Sequence, residues 1–377
     1  MHLRETLNRT LSPQSSTLLC YPWQVDPAQA LRRIAYLLER SAEGGFRATA
    51  FRKAAAVISA IPLSALEGMA ATGELRKLPG IGEKTAAIIR EAVAGEIPAY
   101  LQDLERELGD RLPGLKMTPA ADAIRAALQG DCHVHSDWSD GGAPIEDMAI
   151  AAIELGHKYM VLTDHSPRLR VAHGLTAERL RDQLDLVAAL NERFAPFRIL
   201  TGIEVDILSD GRLDQTDELL ARLDVVVASV HSELRMPSEA MTERMVAAIA
   251  NPHMDILGHC TGRMKASGKD RPPSEFNAEL VFHACQLFDK AVEINARPER
   301  LDPPPETLGV AVDMGCRFTI DSDSHAPGQM SWLSNGCVLA ANAGISTDRI
   351  MNTRDAKGLL SWIADRELPS FQRDTAR

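Results

Sequence analysis

The sequence predicts an α/β fold, a parallel sheet or barrel, preceded by a small all-helical domain. Before residue 131 the apolar residues recur at helical spacing. After it, apolar runs of strand length alternate with amphipathic helices, the pattern of βα units. The charge changes at the same place: Lys+Arg against Asp+Glu is 16 to 14 over residues 1–130 and 25 to 38 over residues 131–377. Such asymmetry points to two parts with different partners.

At 377 residues the chain fits two domains, or one large and one small. Hydrophobic content of 45% and charged content of 25% are those of a soluble globular protein. Aromatics make up 5%, so a surface built on stacking platforms is not expected, and the net charge of −11 argues against a whole-surface nucleic-acid coat or an anionic membrane partner. The six cysteines (Cys20, Cys132, Cys260, Cys285, Cys316, Cys337) show no CxxC spacing, which reads as reduced thiols in a cytoplasmic protein. The start, "MHLRETLNRTLSPQSS", has no apolar core of a signal peptide, and no run approaches the ~18 apolar residues of a membrane span.

Residues 1–25 lack a period and are expected to be a flexible arm. A helical domain is expected over 26–128. Asp26 and Pro27 signal the first helix, with Leu31, Ile34, Leu37 and Leu38 on one face and Gly44-Gly45 as the stop. A second helix carries Phe46, Phe51, Ala54 and Ile58 and ends before Pro62; Ser64 and Glu67 form a candidate capping box for a third. Then "LPGIGEKTAAIIREAV" places Gly80 and Gly82 in a turn leading into a helix. Free backbone N–H groups there, with Lys84, suit a phosphate; the alternative is an ordinary tight interhelical turn. Between Leu115 and Asp131 there is room for one short helix, "PAADAIRAALQG".

The form Leu-Pro-Gly-Ile-Gly-x-Lys-x-Ala resembles the helix-hairpin-helix element that grips DNA backbone without reading sequence. Over residues 26–116 the chain is similar to the small N-terminal domain of family X DNA polymerases. That resemblance implies binding at the 5′-phosphate side of gapped DNA. It makes Arg52, Lys53, Lys77, Gly80, Gly82 and Lys84 candidate backbone contacts, the alternative for each charge being a solvated surface residue. Some members of that family cleave abasic sugars through a Schiff-base lysine. Its position, four residues after Lys84, is Ile88 here, which cannot form an imine, so no lyase activity is expected. The nucleotidyl-transferring palm is missing as well, so no DNA synthesis is expected.

From 129 to 377 a barrel domain is expected, and six of its apolar runs end in ligand-type residues. "DCHVHSDWSD" carries His133, His135 and Asp140; "YMVLTDH" ends in His165; "RILTGIE" in Glu204; "LDVVVASVH" in His231; "MDILGH" in His259; "RFTIDSDSH" in Asp323 and His325. In parallel strands these ends converge on one mouth. A lone histidine is most often a packed structural residue, but nine ligand-type residues in one register point to a metal cluster. Imidazole and carboxylate without thiolate suit zinc, manganese or iron. Nine ligands exceed the needs of one ion, so two or three divalent ions are expected. A metal-bound water would be the catalytic group and phosphate-ester hydrolysis the chemistry. Cys132 and Cys260 border ligands but alternate to the opposite strand face and read as core thiols.

The stretches "HVHSDWSDG", "LTDHS", "GIEVDIL", "ASVHS", "ILGHCTGR", "VEINARPERLD" and "DSDSH" resemble the PHP (polymerase and histidinol phosphatase) family, in the form fused to bacterial family X polymerases. The resemblance spans residues 131 to about 365 and implies a distorted seven-stranded (βα) barrel. It implies three metal positions: His133, His135, Glu204 and Asp323; Glu204, His231 and His259; and Asp140, His165 and His325.

Arg263 and Asn295 are candidate substrate contacts, with a surface arginine and a turn cap as the alternatives. Arg168, Arg170 and His173 lie on a loop expected at the entrance, while His157, His253 and His283 look structural. The expected function is metal-dependent hydrolysis of DNA phosphodiesters, as a 3′→5′ exonuclease or 3′-end processing enzyme in repair. The alternatives are a small-molecule phosphatase of the histidinol-phosphate type and a non-catalytic DNA-binding adaptor. The expected partner is DNA through the helical domain, with no membrane and with the oligomeric state left open.

Overall fold

The first helix, α1 (Pro27–Arg40), starts where its local chemistry says it should: the Asp26 side chain accepts from Gln29 N at 2.9 Å and Pro27 takes the first turn. The computed structural model describes residues 25–42, 45–108, 113–265 and 270–366. The expected arm before Val25, Cys20 within it, and the polar tail from 367 fall outside that range.

Among the described residues four more helices complete the N-terminal part, α2 (Gly45–Ser59), α3 (Leu63–Thr72), α4 (Glu83–Val93) and α5 (Ala99–Leu108). The next helix, α6 (Pro119–Ala127), expected in the helical domain, instead packs into the barrel core through Ala121 and Ile124. Two local expectations need correction. Gly45 is not a stop but the first residue of α2, since α1 already ends at Arg40 with Ser41 as its cap. The capping box at Ser64 and Glu67 does not form, because α3 begins one residue earlier, after Pro62, and Ser64 lies inside it. Leu31, Ile34, Leu38, Phe51, Ile58, Ile81 and Ile89 close around one apolar core.

The C-terminal part is a single sheet of seven parallel strands in sequence order: β1 (Gly130–Val134), β2 (Tyr159–Leu162), β3 (Arg198–Asp206), β4 (Val225–Ser229), β5 (Ile256–Leu257), β6 (Ala291–Asn295) and β7 (Arg317–Asp321). Helices α7 (Ile145–Glu154), α8 (Ala177–Phe194), α9 (Asp217–Leu220), α10 (Ser238–Ile249), α11 (Ala278–Leu287), α12 (Pro305–Asp313), α13 (Leu333–Asn342) and α14 (Ala356–Ala364) accompany the strands. The sheet nearly closes into a barrel. His135 N donates to Ser324 O at 2.9 Å across the gap between the first and last strands, and the Asn352 amide spans it lower down, donating to Gly130 O and Ile320 O. Because all strands run the same way, every C-terminal end lies at one mouth.

The helical part packs directly on the barrel beside that mouth. Glu39 on α1 accepts from Gly328 N at 3.0 Å, Trp332 Nε1 donates to Arg40 O at 2.9 Å, and Tyr36 Oη pairs with Ser331 Oγ at 2.7 Å. Gly328 is required by this approach, since a Cβ there would lie 2.3 Å from Tyr36 O. Among the described residues, no single helix is long and apolar enough to cross a membrane.

Candidate metal centre

Glu204 is the hub of the barrel mouth. It sits within β3, 1% exposed, with its carboxylate among five imidazoles. On Oε1, His259 Nε2 lies at 2.8 Å and His231 Nε2 at 3.1 Å; on Oε2, His165 Nδ1 lies at 3.0 Å, His133 Nε2 at 3.3 Å and His135 Nε2 at 3.5 Å. These residues come from the ends of β1, β2, β4 and β5. Strand alternation separates Glu204 from its neighbours Ile203 and Val205, which pack in the core outside the mouth. In β1 the register shifts between Asp131 and Val134, so Cys132 does not alternate to the opposite face as expected but packs with Val161, Leu200, Val225 and Val227.

The nine predicted ligands fall into overlapping groups. His133, His135 and Asp323 present ligand atoms within 4.8 Å of one another, and so do His135, Asp140, His165 and His325. Two further groups share Glu204, one with His133 and His259 and the other with His165 and His231. His135 thus reaches the group of Asp140, His165 and His325 as well as its own, which spacing along the sequence does not reveal. Asp140 is the most open of the nine, with His325 Nε2 at 3.3 Å and His165 Nε2 at 3.6 Å.

The electrostatics suit bound cations. Burial raises the Glu204 pKa, but His231, His133 and His165 outweigh it and hold the carboxyl well below its ordinary range. Burial and the neighbouring His325 and His165 push His135 down to about 3. Burial opposes protonation of His231 too, yet Glu204 and Asp206 drive it up to about 9. A buried polar atom without a hydrogen bond costs roughly 1–3 kcal/mol. Here His133 Nε2, both nitrogens of His135 and of His231, His165 Nδ1, His259 Nδ1 and Glu204 Oε2 make none. So many lone pairs converging on one place fit a metal cluster better than a packed core.

Several supporting residues were not recognised in the sequence. Glu293, fully buried on β6, takes His133 Nδ1 at 2.6 Å on one oxygen and the backbone N–H of His259 on the other, so it turns the His133 Nε2 toward Glu204. Its only sequence signal is that it alternates with Asn295 along "AVEIN", which puts both on one strand face. Asp164 accepts from Ser136 N at 2.9 Å, Ser136 Oγ at 2.6 Å, Gln183 Nε2 at 2.7 Å and Ser139 Oγ, fixing the loop that carries Asp140. Asp323 adopts φ +50°, a left-handed backbone tolerated by aspartate and often found at functional sites. Arg300 Nε at 3.0 Å and Asn295 Nδ2 at 3.1 Å hold its carboxylate there.

The candidate substrate and DNA contacts are distributed between the interior and the surface. Asn295 is fully buried and spends its amide on Glu293, Asp323 and Arg297 N, which makes it a support of the cluster rather than a group facing substrate. Half-buried Arg263 donates its Nε to Arg300 O at 2.7 Å. Arg52 is not a surface charge: its guanidinium is buried, pairs with both oxygens of Glu39 at 2.5 and 2.6 Å, and lies 3.5 Å from Asp147 on α7. The reason is tertiary, since Glu39 and Arg52 face each other only once α1 and α2 pack. Lys53, Lys77 and Lys84 remain exposed, Lys84 with its Nζ 3.4 Å above the Tyr100 ring. Gly80 has φ +74°, while Gly82 has an ordinary φ of −89° and open space around it. Arg168, Arg170 and His173 are exposed on the excursion after His165, and His157 is buried with neither ring nitrogen hydrogen-bonded. Cys132 and Cys260 are buried free thiols.

The helix-hairpin-helix domain family matches residues 24–96 and the PHP domain family matches residues 131–297. The DNA polymerase/3′-5′ exonuclease PolX of Bacillus subtilis (strain 168) is 35% identical over 292 residues, 78% of this chain and 49% of its own. The chain therefore spans about half the length of that relative. A probable phosphatase of Thermoanaerobacter sp. (strain X514) is 29% identical over 235 residues, 59% of this chain and 89% of its own. Among solved structures, histidinol phosphate phosphatase of Lactococcus lactis subsp. lactis Il1403, complexed with zinc, L-histidinol and phosphate, is 19% identical with a TM-score of 0.42, covering 58% of this chain and 94% of that one.

Proposed function

We propose, from the premise that this chain belongs to the PHP phosphoesterases and carries a helix-hairpin-helix domain ahead of the barrel, that it hydrolyses phosphodiester bonds at DNA 3′ ends. The observation that carries the reading is the seating of the helical domain beside the mouth holding the nine ligand-type residues, through Glu39, Arg40 and Arg52. His133, His135, Glu204 and Asp323 would hold one ion, Glu204, His231 and His259 a second, and Asp140, His165 and His325 a third. Their nitrogen and oxygen donors suit zinc, manganese or iron. Bound divalent ions supply positive charge against a phosphate and acidify water at neutral pH.

The protein's own groups supply the rest. Glu204, kept anionic by its imidazole neighbours, offers one oxygen to each side of the cluster. Arg297, with Nη1 3.0 Å from His325 Nδ1, and the buried Arg300 against Asp323 would add positive charge beside the cluster. Burial of the hub excludes bulk water, which strengthens each of these interactions. The helical domain would hold the DNA backbone through Lys53, Lys77, Lys84 and the amides around Gly80 and Gly82.

The competing reading is a phosphatase for small monoesters. It draws on the relatives named probable phosphatase and leaves the helical domain without a task. Purified protein with Mn²⁺, given 5′-end-labelled single-stranded and gapped DNA beside histidinol phosphate, separates them. A ladder shortening from the 3′ end is the expected result. Hydrolysis of the monoester with intact oligonucleotides would overturn the proposal.

A further inference from the structure

We infer that the cleft between the helical domain and the barrel mouth is a subsite for a nucleobase of the strand being cut, with Phe46 as its stacking face. The inference rests on the DNA reading above and adds what holds the strand end. The cleft has a volume of about 370 Å³; Phe46 and Thr49 of α2 wall one side, and His325, Gln329 and Trp332 the other. It therefore opens directly on His325, whose Nε2 lies 3.3 Å from Asp140.

Phe46 is 98% exposed, the most exposed large apolar side chain among the described residues. Leaving a phenyl ring in water forgoes the free energy that burying its apolar area would supply. The other aromatic rings nearby do not behave this way: Phe51 stacks on Tyr100 with centroids 5.8 Å apart. Composition argued against a surface made of stacking platforms, and the structure agrees in general while presenting one ring at the edge of this cleft.

Size and the neighbouring ligand cluster select the occupant. The volume lies near the lower end of the ~300–1,000 Å³ typical of small-ligand pockets, room for a nucleotide and too little for a folded partner. Two carboxylates line it and each has a cationic partner: Glu39 is held by Arg52, and Glu299 lies 3.6 Å from Arg297. Arg47, next to Phe46, reaches Tyr100 Oη at 2.7 Å, and Arg297 stands at His325. A flat ligand set on Phe46 with its phosphate toward His325 and the ligand cluster answers both features, and aromatic stacking accepts any base because every base has a π-face. A purely apolar peptide would leave the ligand cluster unused.

The test compares oligonucleotides of one sequence, intact or with a single abasic residue at the terminal or penultimate 3′ position, for the unaltered protein, Phe46→Ala and Phe46→Trp. We expect the unaltered protein to favour the intact strand by about tenfold in kcat/KM at one of the two positions. Phe46→Ala should bring that ratio close to one, and Phe46→Trp should restore it. A ratio that survives in Phe46→Ala overturns the inference while leaving the DNA reading standing. An unchanged ratio with a melting temperature lowered by several degrees also overturns it, and shows that another part of the chain covers the ring. If the unaltered protein cuts no oligonucleotide but cleaves a small monoester, the DNA reading falls and the subsite falls with it.

Discussion

Replacing Glu204 by Gln keeps the shape of the hub and removes its charge. Both carboxylate oxygens have imidazole nitrogens within 3.1 Å, His259 and His231 on one and His165 on the other, so ions held on the two sides would share this anion. Two unit charges about 4 Å apart at an effective dielectric of about 20 interact by about 4 kcal/mol, a factor of roughly 10³ in affinity. The loss is felt on both sides of the carboxylate. We therefore expect Glu204→Gln to purify with less than one metal ion per chain by elemental analysis. Hydrolysis of a chromogenic phosphodiester should fall by at least about 10³, with far-UV circular dichroism unchanged. A variant that kept its metal and more than a tenth of its activity would show that Glu204 is not the shared ligand.

Three further outcomes follow from the same geometry. Gly82→Val puts a side chain into open space at an ordinary φ, so the melting temperature should hold while affinity for DNA drops several-fold, measured by anisotropy across a salt series; equal affinity would remove this turn from the DNA contact. Borohydride should trap no adduct on a preincised abasic site. Ile88 is buried at 2% exposure where an amine would be needed, and Lys84 lies over Tyr100; a trapped band lost in Lys84→Ala would refute this. Burial, and then Arg125, depress the His157 pKa to about 3. The unfolded chain takes up this proton near pH 6.5 and the folded chain does not. Its contribution is therefore intact above pH 6.5 and lost at about 1.4 kcal/mol per pH unit as pH falls toward 3. His157→Phe should flatten that part of the acid melting profile, and an unaltered slope would assign the acid sensitivity elsewhere.

The sequence by itself determined what local chemistry and periodicity encode. Asp26-Pro27 set the start of α1, the period-3.6 face of Leu31, Ile34 and Leu38 built the helical core, and apolar runs between helices marked a parallel sheet. A parallel sheet has all its strand ends at one mouth, so ligand-type residues just past each run were legible as one group before their geometry was known. Only the tertiary structure decided what depends on partners far along the chain. Glu293 acquires its purpose from His133, 160 residues earlier, and Arg52 leaves the surface because Glu39 and Asp147 meet it when α1, α2 and α7 pack. The helical part can sit against the barrel because Gly328 lets the backbone of α1 approach it. Each of these is a long-range pairing of side chains, and no periodicity or local preference in a linear sequence records which residues will face one another across a packed interface.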